Sequence, residues 1–320
     1  MFEMRHLCRT NVLILQDPKG SFCYTEAMKL EYVWTTDNLR LMGAHYPGKD
    51  VCVIEVHGMS GNFIENYYAN VLGEKLATNG YGFIYGHNRG YCHVNDIATK
   101  PVNKENNGWD YTRVGETYEL FEDSPKDVAA WVDKAGELGY KKIILLGHSL
   151  GCNKTIYYLY KSSDAKIDGV ILASPPDMVG LVKLEKYQPD HMKLLQQARE
   201  LVKADKPREV LDGKIWDWYE ISAQTYLSLF EENGAADNLP LLRNPEKFDQ
   251  LASIRQPILG IMGEYDDIAI RNLKEDIDLI KSKAISCPDF QIQFILGGNH
   301  NYENREDIFA NTVVNWVDKI

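Results

Sequence analysis

The sequence predicts an α/β protein: a mostly parallel, doubly wound sheet carrying an inserted helical lid. Three features predict it. Short apolar runs alternate with segments of helical spacing from Val51 to Ala173, the rhythm of parallel strands joined by right-handed crossovers with helices on both faces. That rhythm stops at about Asp177 and resumes at Pro257. Within the first stretch, Ile143-Ile144-Leu145-Leu146 runs straight into Gly147-His148-Ser149-Leu150-Gly151, which reads as a strand buried on both faces, then Gly-x-Ser-x-Gly, then a helix. The expected organisation is a core first part over 1–176, a helical lid over 177–256 and a core second part over 257–320.

No catalysis is expected in the first thirty residues, where Asp17-Pro18-Lys19-Gly20 reads as a turn between short extended pieces. Lys29 to Thr35 and Leu39 to Tyr46 alternate around Thr36-Asp37-Asn38, an antiparallel hairpin. Val51 to Val56 is a continuous buried strand ending in His57-Gly58-Met59. A helix over Phe63 to Asn79 follows, with Phe63, Tyr67, Val71, Leu72 and Leu76 on its inner face and Gly80 as its stop. Tyr81 to Tyr85 is the next strand, opening into Gly86-His87-Asn88-Arg89-Gly90-Tyr91-Cys92-His93 and a long polar loop. Ser124-Pro125 then supplies a serine cap with proline at the first helical position. Val128, Ala129, Val132 and Leu138 give that helix its buried side, and Gly139 ends it.

After the Ser149 turn come a helix from Cys152 to Lys161 and the strand Val170 to Ala173. The lid is expected to hold helices at His191 to Val202 and Trp216 to Glu231 and no buried strand. Pro257 to Met262 is a strand, Ile270 to Lys283 a helix, Phe290 to Leu296 a strand and Asp307 to Ile320 a closing helix.

A formal net charge of -11 on 320 residues disfavours nucleic acid and anionic membrane surfaces, which need basic patches. Its simplest reading is solubility. Cys8, Cys23, Cys52, Cys92, Cys152 and Cys287 follow no repeated spacing, as expected for reduced thiols in a cytoplasm, although their even number leaves a disulfide open. The apolar run Val12 to Leu15 is too short for a signal-peptide core. No run approaches the ~18 apolar residues of a membrane span. A cytoplasmic protein is expected.

A serine hydroxyl is a poor nucleophile until a turn lifts it clear of the backbone beside a base, and a helix N-terminus can aim free N–H groups at a developing oxyanion. The base and its orienting acid must then reach the carboxyl edge of the sheet. Gly263-Glu264-Tyr265-Asp266-Asp267 follows one late strand, and Gly297-Gly298-Asn299-His300 follows the last. Singly, the aspartates read as a solvated strand end and His300 as a loop histidine. Their joint order of serine, acid and histidine favours a triad. Neighbouring residues at a strand end point to opposite sides, so one of Asp266 and Asp267 faces His300.

From about Lys29 to Ile320 the sequence resembles the α/β-hydrolase superfamily, through His57-Gly58, the Ser149 turn, the Gly-Glu-x-Asp turn and the late His300. The resemblance implies Ser149 as nucleophile, His300 as base and then acid, and Asp266 as its orienting carboxylate. It also implies an oxyanion hole from the backbone N–H groups of Met59 and Leu150, and a structural role for Arg89. The lid length and His57-Gly58-Met59-Ser60-Gly61-Asn62 are similar to esterases of the feruloyl and siderophore-ester type.

Candidate substrate contacts are His57, His148, Trp216 and Trp218, although His57 also reads as a loop-shaping residue and His148 as one packed beside its strand. Trp216, Trp218, Tyr219, Tyr226 and Phe230 would wall a pocket or form the lid's own core. His87, Cys92, His93 and Asp96 have metal-binding side chains, but their spacing matches no ligand pattern. Cys152 would sit in a first helical turn, where a thiolate can be stabilised, yet reads more simply as packing. No metal and no organic cofactor are expected.

The expected function is hydrolysis of a small or medium carboxylic ester through an acyl-enzyme, with a small-molecule ester as partner and a homodimer as the assembly considered. The rivals are a non-catalytic binding or interaction protein of the same fold, and a carbon–carbon bond hydrolase, acyltransferase or lyase using the same triad.

Overall fold

The computed structural model describes residues 12–16, 22–26, 28–100, 110–162, 166–244 and 246–320. The expected turn at Asp17–Gly20 and the Cys8 thiol lie outside the described residues. Strands β1 (Val12–Gln16) and β2 (Phe22–Glu26) pair antiparallel. The hairpin follows as β3 (Lys29–Trp34) and β4 (Arg40–Tyr46), with Asn38 in the left-handed region at its turn.

Strand β5 (Val51–Val56), helix α1 (Tyr67–Thr78) and strand β6 (Gly82–Gly86) form the first crossover unit. The helix begins later than its spacing predicts. Asn62 turns the chain first, its side-chain oxygen accepting from the N–H groups of Ile64 and Glu65, and Tyr67 is exposed rather than inward-facing. The polar loop contains a second hairpin, β7 (Asn95–Thr99) and β8 (Asp110–Val114).

Helix α2 (Ser124–Glu137) is entered through a tight turn at Phe121–Asp123, so Ser124 is its first residue and Asp123 occupies the cap without a side-chain capping bond. Leu138, expected inside, lies just past the helix end and is exposed. Strand β9 (Lys142–His148), helix α3 (Leu150–Ser162) and strand β10 (Ile167–Ala173) complete the first part.

Residues 177–256 add no strand to the main sheet among the described residues. They contain α4 (Met178–Lys183), α5 (His191–Lys203), β11 (Val210–Ile215), β12 (Tyr219–Ser222), α6 (Ala223–Phe230) and α7 (Asp249–Ala252). The expected helix from Trp216 to Glu231 is corrected here. Its first seven residues are a hairpin turn and strand, because Trp216 and Asp217 both adopt positive φ and the Trp218 N–H closes on the Ile215 carbonyl at 3.0 Å. The chain returns through β13 (Ile258–Gly263), α8 (Leu273–Lys283), β14 (Phe290–Ile295) and α9 (Glu306–Val317).

The eight-stranded sheet runs β14-β13-β10-β9-β5-β6-β4-β3, parallel except at β4 and β3. Alternation along β9 divides the core between its faces. Ile143 and Leu145 pack with Val128, Val132 and Ile156 of α2 and α3, whereas Ile144 and Leu146 pack with Leu72 of α1 and Val313 of α9. Because β5, β9, β10, β13 and β14 are parallel, everything following them emerges on one edge. No described helix is long and apolar enough to cross a membrane.

Candidate active site

Ser149 is the single residue between β9 and α3, and it holds φ at 55°. The strain therefore sits on the serine, while the flanking glycines provide close approach. A Cβ on Gly151 would lie 1.8 Å from the Val56 carbonyl oxygen, and one on Gly58 would lie 2.8 Å from the Ser149 Cβ. The turn is held by the Ser149 N–H donating to Ala173 at 3.0 Å and the Cys152 N–H donating to the Ser149 carbonyl at 2.8 Å. Leu150 opens α3, so its N–H has no carbonyl one turn earlier to bond. Met59 lies in the loop after the neighbouring strand β5.

His300 arrives in the loop after β14, where Gly297 turns the chain with φ at 69°. Its Nδ1 donates to Oδ1 of Asp266 at 2.9 Å, which leaves Nε2 as the free ring acceptor. Asp266 is buried. Burial would raise its pKa, but the hydrogen bond and charge of His300 outweigh that and lower it. For His300, burial would lower the pKa, but the bond and charge of Asp266 and the charge of Asp267 raise it. Asp267 is exposed, and its carbonyl accepts from the Tyr187 hydroxyl at 2.7 Å. It caps nothing: Asn272 caps α8, accepting from the Glu275 N–H at 2.9 Å. Asp266, Asp267 and His300 offer three ligand-type atoms within 4.8 Å of one another, although a metal on Nδ1 would have to displace the proton shared with Asp266.

Ser149, His300 and Met59 line one cavity of about 520 Å³, closed on the other side by Trp216, Trp218 and Tyr219 of the 177–256 segment. The two tryptophans differ. Trp218 is 73% exposed at the mouth, whereas the Trp216 ring meets Phe230 edge-on at 6.0 Å and so belongs to both pocket and inner core. Tyr226 and Phe230 are buried in that inner core.

The cavity excludes His57, and this corrects its assignment as a substrate contact. His57 is wholly buried behind Gly58, with Nδ1 donating to the Gly58 carbonyl at 2.8 Å and Nε2 accepting from the Asn88 N–H at 3.0 Å. Burial, reinforced by the charge of Lys154, holds its pKa well below the ordinary value. His148 borders the cavity but is committed elsewhere, its Nε2 donating to the His300 carbonyl at 2.8 Å. Burial pushes its pKa down to about 3, so the ring is neutral and positions the His300 loop.

Cys152 is packed, not reactive: its thiol donates to the carbonyls of Gly147 and Ala173, and burial raises its pKa well above normal. The residues His87, Cys92, His93 and Asp96 do not converge. His87 stacks between Phe63 and Tyr91, His93 pairs with Glu116 at 3.3 Å, and Asp96 pairs with Arg113 at 3.0 Å. Arg89 bonds Asp127 and Asp37 and ties the loop after β6 to α2 and to the turn between β3 and β4.

Sequence reasoning missed Lys154, which is buried and paired with Glu119 at 2.7 Å. In the sequence it follows Asn153 and shares its helix face with Lys161, so its spacing gave no signal of burial. It also missed the Ser174 hydroxyl bonded to the Tyr302 hydroxyl at 2.9 Å beneath Asp266.

Solved structures similar to the chain share its architecture. An esterase from Pyrococcus furiosus superposes with a TM-score of 0.58 at 16% identity, covering 92% of this chain and 90% of that one. Est1E from Butyrivibrio proteoclasticus, solved with ferulic acid bound, gives 0.60 at 17% identity over 90% of this chain and 98% of its own. The thioesterase domain from a curacin biosynthetic pathway gives 0.53 at 17% identity over 90% and 99%. The fold is that of the α/β-hydrolases. No curated protein matches by sequence. Residues 123–318 match the family model described as "Protein of unknown function (DUF1749)".

Proposed function

The chain belongs to the family described as "Protein of unknown function (DUF1749)", and since that description assigns no reaction, we propose one from the site: hydrolysis of a small or medium carboxylic ester by a serine mechanism. Ser149 attacks the ester carbonyl while Nε2 of His300 takes the hydroxyl proton. Asp266 holds the tautomer that leaves Nε2 free and stabilises the imidazolium that forms. The N–H groups of Met59 and Leu150 meet the oxyanion. His300 then gives its proton to the departing alcohol, and water activated by the same imidazole releases the acid from the acyl-enzyme.

The observation that carries this reading is the His300–Asp266 bond of 2.9 Å beside a serine at φ 55°, with Ser149 and His300 opening into one cavity. The esterases and thioesterase of like fold agree with it. In this reading residues 177–256 form the lid, and Trp216 and Trp218 select the acyl or alcohol group. The enzyme acts in the cytoplasm, in keeping with the scattered cysteines.

The test is reaction of the purified protein with a fluorophosphonate and an aryl ester. Labelling at Ser149, with turnover lost in a folded Ser149→Ala variant, is expected. Turnover above a few per cent in that variant would sink the mechanism.

A further inference from the structure

The two N–H groups assigned to the oxyanion come from different elements, Met59 from the loop after β5 and Leu150 from the first turn of α3. Their separation has to be held to a fraction of an ångström for both to reach one oxygen. Close packing of Gly151 on Val56 supplies one tie. A buried polar bridge supplies another.

Lys154 lies one turn beyond Leu150 and is fully excluded from solvent. Its Nζ donates to Oε2 of Glu119 at 2.7 Å and to Oδ1 of Asn88 at 3.2 Å. Asn88, in the loop after β6, grips His57 twice: its backbone N–H donates to Nε2 at 3.0 Å and its Nδ2 to the His57 carbonyl at 3.2 Å. His57 Nδ1 then donates to the carbonyl of Gly58, the residue before Met59. The Asn88 loop cannot slide. A Cβ on Gly90 would come 2.1 Å from Glu119 Oε2, and on the outer side the Arg89 N–H donates to Asp127 at 2.8 Å.

An ammonium buried this deeply is costly even when paired, and an apolar side chain would fill the same space. Nor is the pair closed on itself. Glu119 leaves Oε1 without a partner, while Lys154 directs a second bond to the neutral Asn88. We propose that Lys154, held by Glu119, is a positioning residue for the oxyanion hole: through Asn88 and His57 it locks the loop bearing the Met59 N–H against the helix bearing the Leu150 N–H. This rests on the ester-hydrolase reading above. Loosening the bridge weakens a contact made most strongly in the tetrahedral state, so it slows turnover and leaves substrate binding nearly unchanged.

Lys154→Met alone would strand the buried Glu119 carboxylate, so the pair is neutralised together in Lys154→Met/Glu119→Met. Asn88→Asp cuts the link separately, keeping an acceptor for Lys154 but facing the His57 carbonyl with an oxygen in place of the Nδ2 donor. Two quantities are measured: kcat and KM with one aryl ester, and amide hydrogen exchange across residues 57–61 without substrate. In each variant kcat is expected to fall about 10- to 100-fold with KM within about threefold. Exchange across 57–61 is expected to quicken at least about tenfold while protection in β9 and β10 is kept. Unchanged exchange, or a loss carried by KM, overturns the proposal. If the double variant does not fold, Asn88→Asp alone decides. A wild-type protein without esterase activity would overturn the hydrolase reading, and the exchange result would still decide whether the bridge holds the loop.

Discussion

Nδ1 of His300 lies 2.9 Å from Oδ1 of Asp266, while the carboxylate one residue further on, Asp267, stands exposed at the rim of the same cavity. Two adjacent acids are thus separated into different environments by one step of the chain.

Asp266→Asn removes the carboxylate charge and can turn an amide N–H toward Nδ1 of His300, so the tautomer that leaves Nε2 free is no longer enforced; it is expected to cost about 10⁴-fold in kcat/KM, nearly all of it in kcat. Asp267→Asn should stay within roughly tenfold, as the ring of His300 bonds Asp266 and the exposed Asp267 acts on it through charge alone. Steady-state kinetics on one ester with both variants checks this. The reverse ranking would overturn the assignment.

His300 must be neutral to take a proton, so kcat/KM should rise with pH through its pKa. The bond and charge of Asp266 and the charge of Asp267 raise that pKa above the ordinary 6.5, although burial opposes them. The acid limb of the wild-type profile is therefore expected above that pH. Asp267→Asn removes a charge that favours the imidazolium, so its limb should move to lower pH. A limb that stays put or moves upward contradicts the account.

The two tryptophans should respond differently. Trp218 is exposed at the mouth, so Trp218→Ala is expected to alter the ranking of esters of graded chain length, with the acetate rate within a few fold and stability within about 0.5 kcal/mol. Trp216 also packs on Phe230, so Trp216→Ala should change the ranking and lose roughly 2 kcal/mol of stability as well. Ester panels and urea unfolding separate the two effects. An equal loss on every ester would count against a role in selection.

Ser149 carries positive φ without being glycine. Ser149→Gly is therefore expected to be about 1 kcal/mol more stable than Ser149→Ala, with both inactive, because only glycine adopts that conformation without strain. Equal urea midpoints and slopes for the two variants would show that the turn stores no strain there.

Much of the fold was legible because its signals are local. A buried run such as Ile143 to Leu146 marks a strand by composition alone, and the alternation of such runs with helical spacing implies a parallel sheet. The hairpin of β11 and β12 was not legible in this way. Val210–Ile215 alternates between exposed and more buried positions in the fold, but its residues, Val-Leu-Asp-Gly-Lys-Ile, do not alternate in hydropathy, and the aromatic residues that follow recur at helical spacing. The turn at Trp216 is also held from outside the hairpin, the Gln188 side-chain oxygen accepting from the Trp216 N–H at 2.7 Å.

By itself the sequence determined the layered α/β architecture, the strained serine turn and the chain order of serine, acid and histidine, since periodicity and turn chemistry are written within a few residues. Only the tertiary structure decided which way each side chain faces. Assigning Asp266 to His300 needed either a family resemblance or the packing of β13 beside β14. His57 drew attention by its place beside a glycine, yet its ring is spent on Gly58 and Asn88 behind the cavity. Lys154 drew none, because an isolated lysine in a helix reads as solvated. Its partners Glu119 and Asn88 lie 35 and 66 residues away in the chain, and a buried charge can be recognised only once the fold has brought its counter-charge to it.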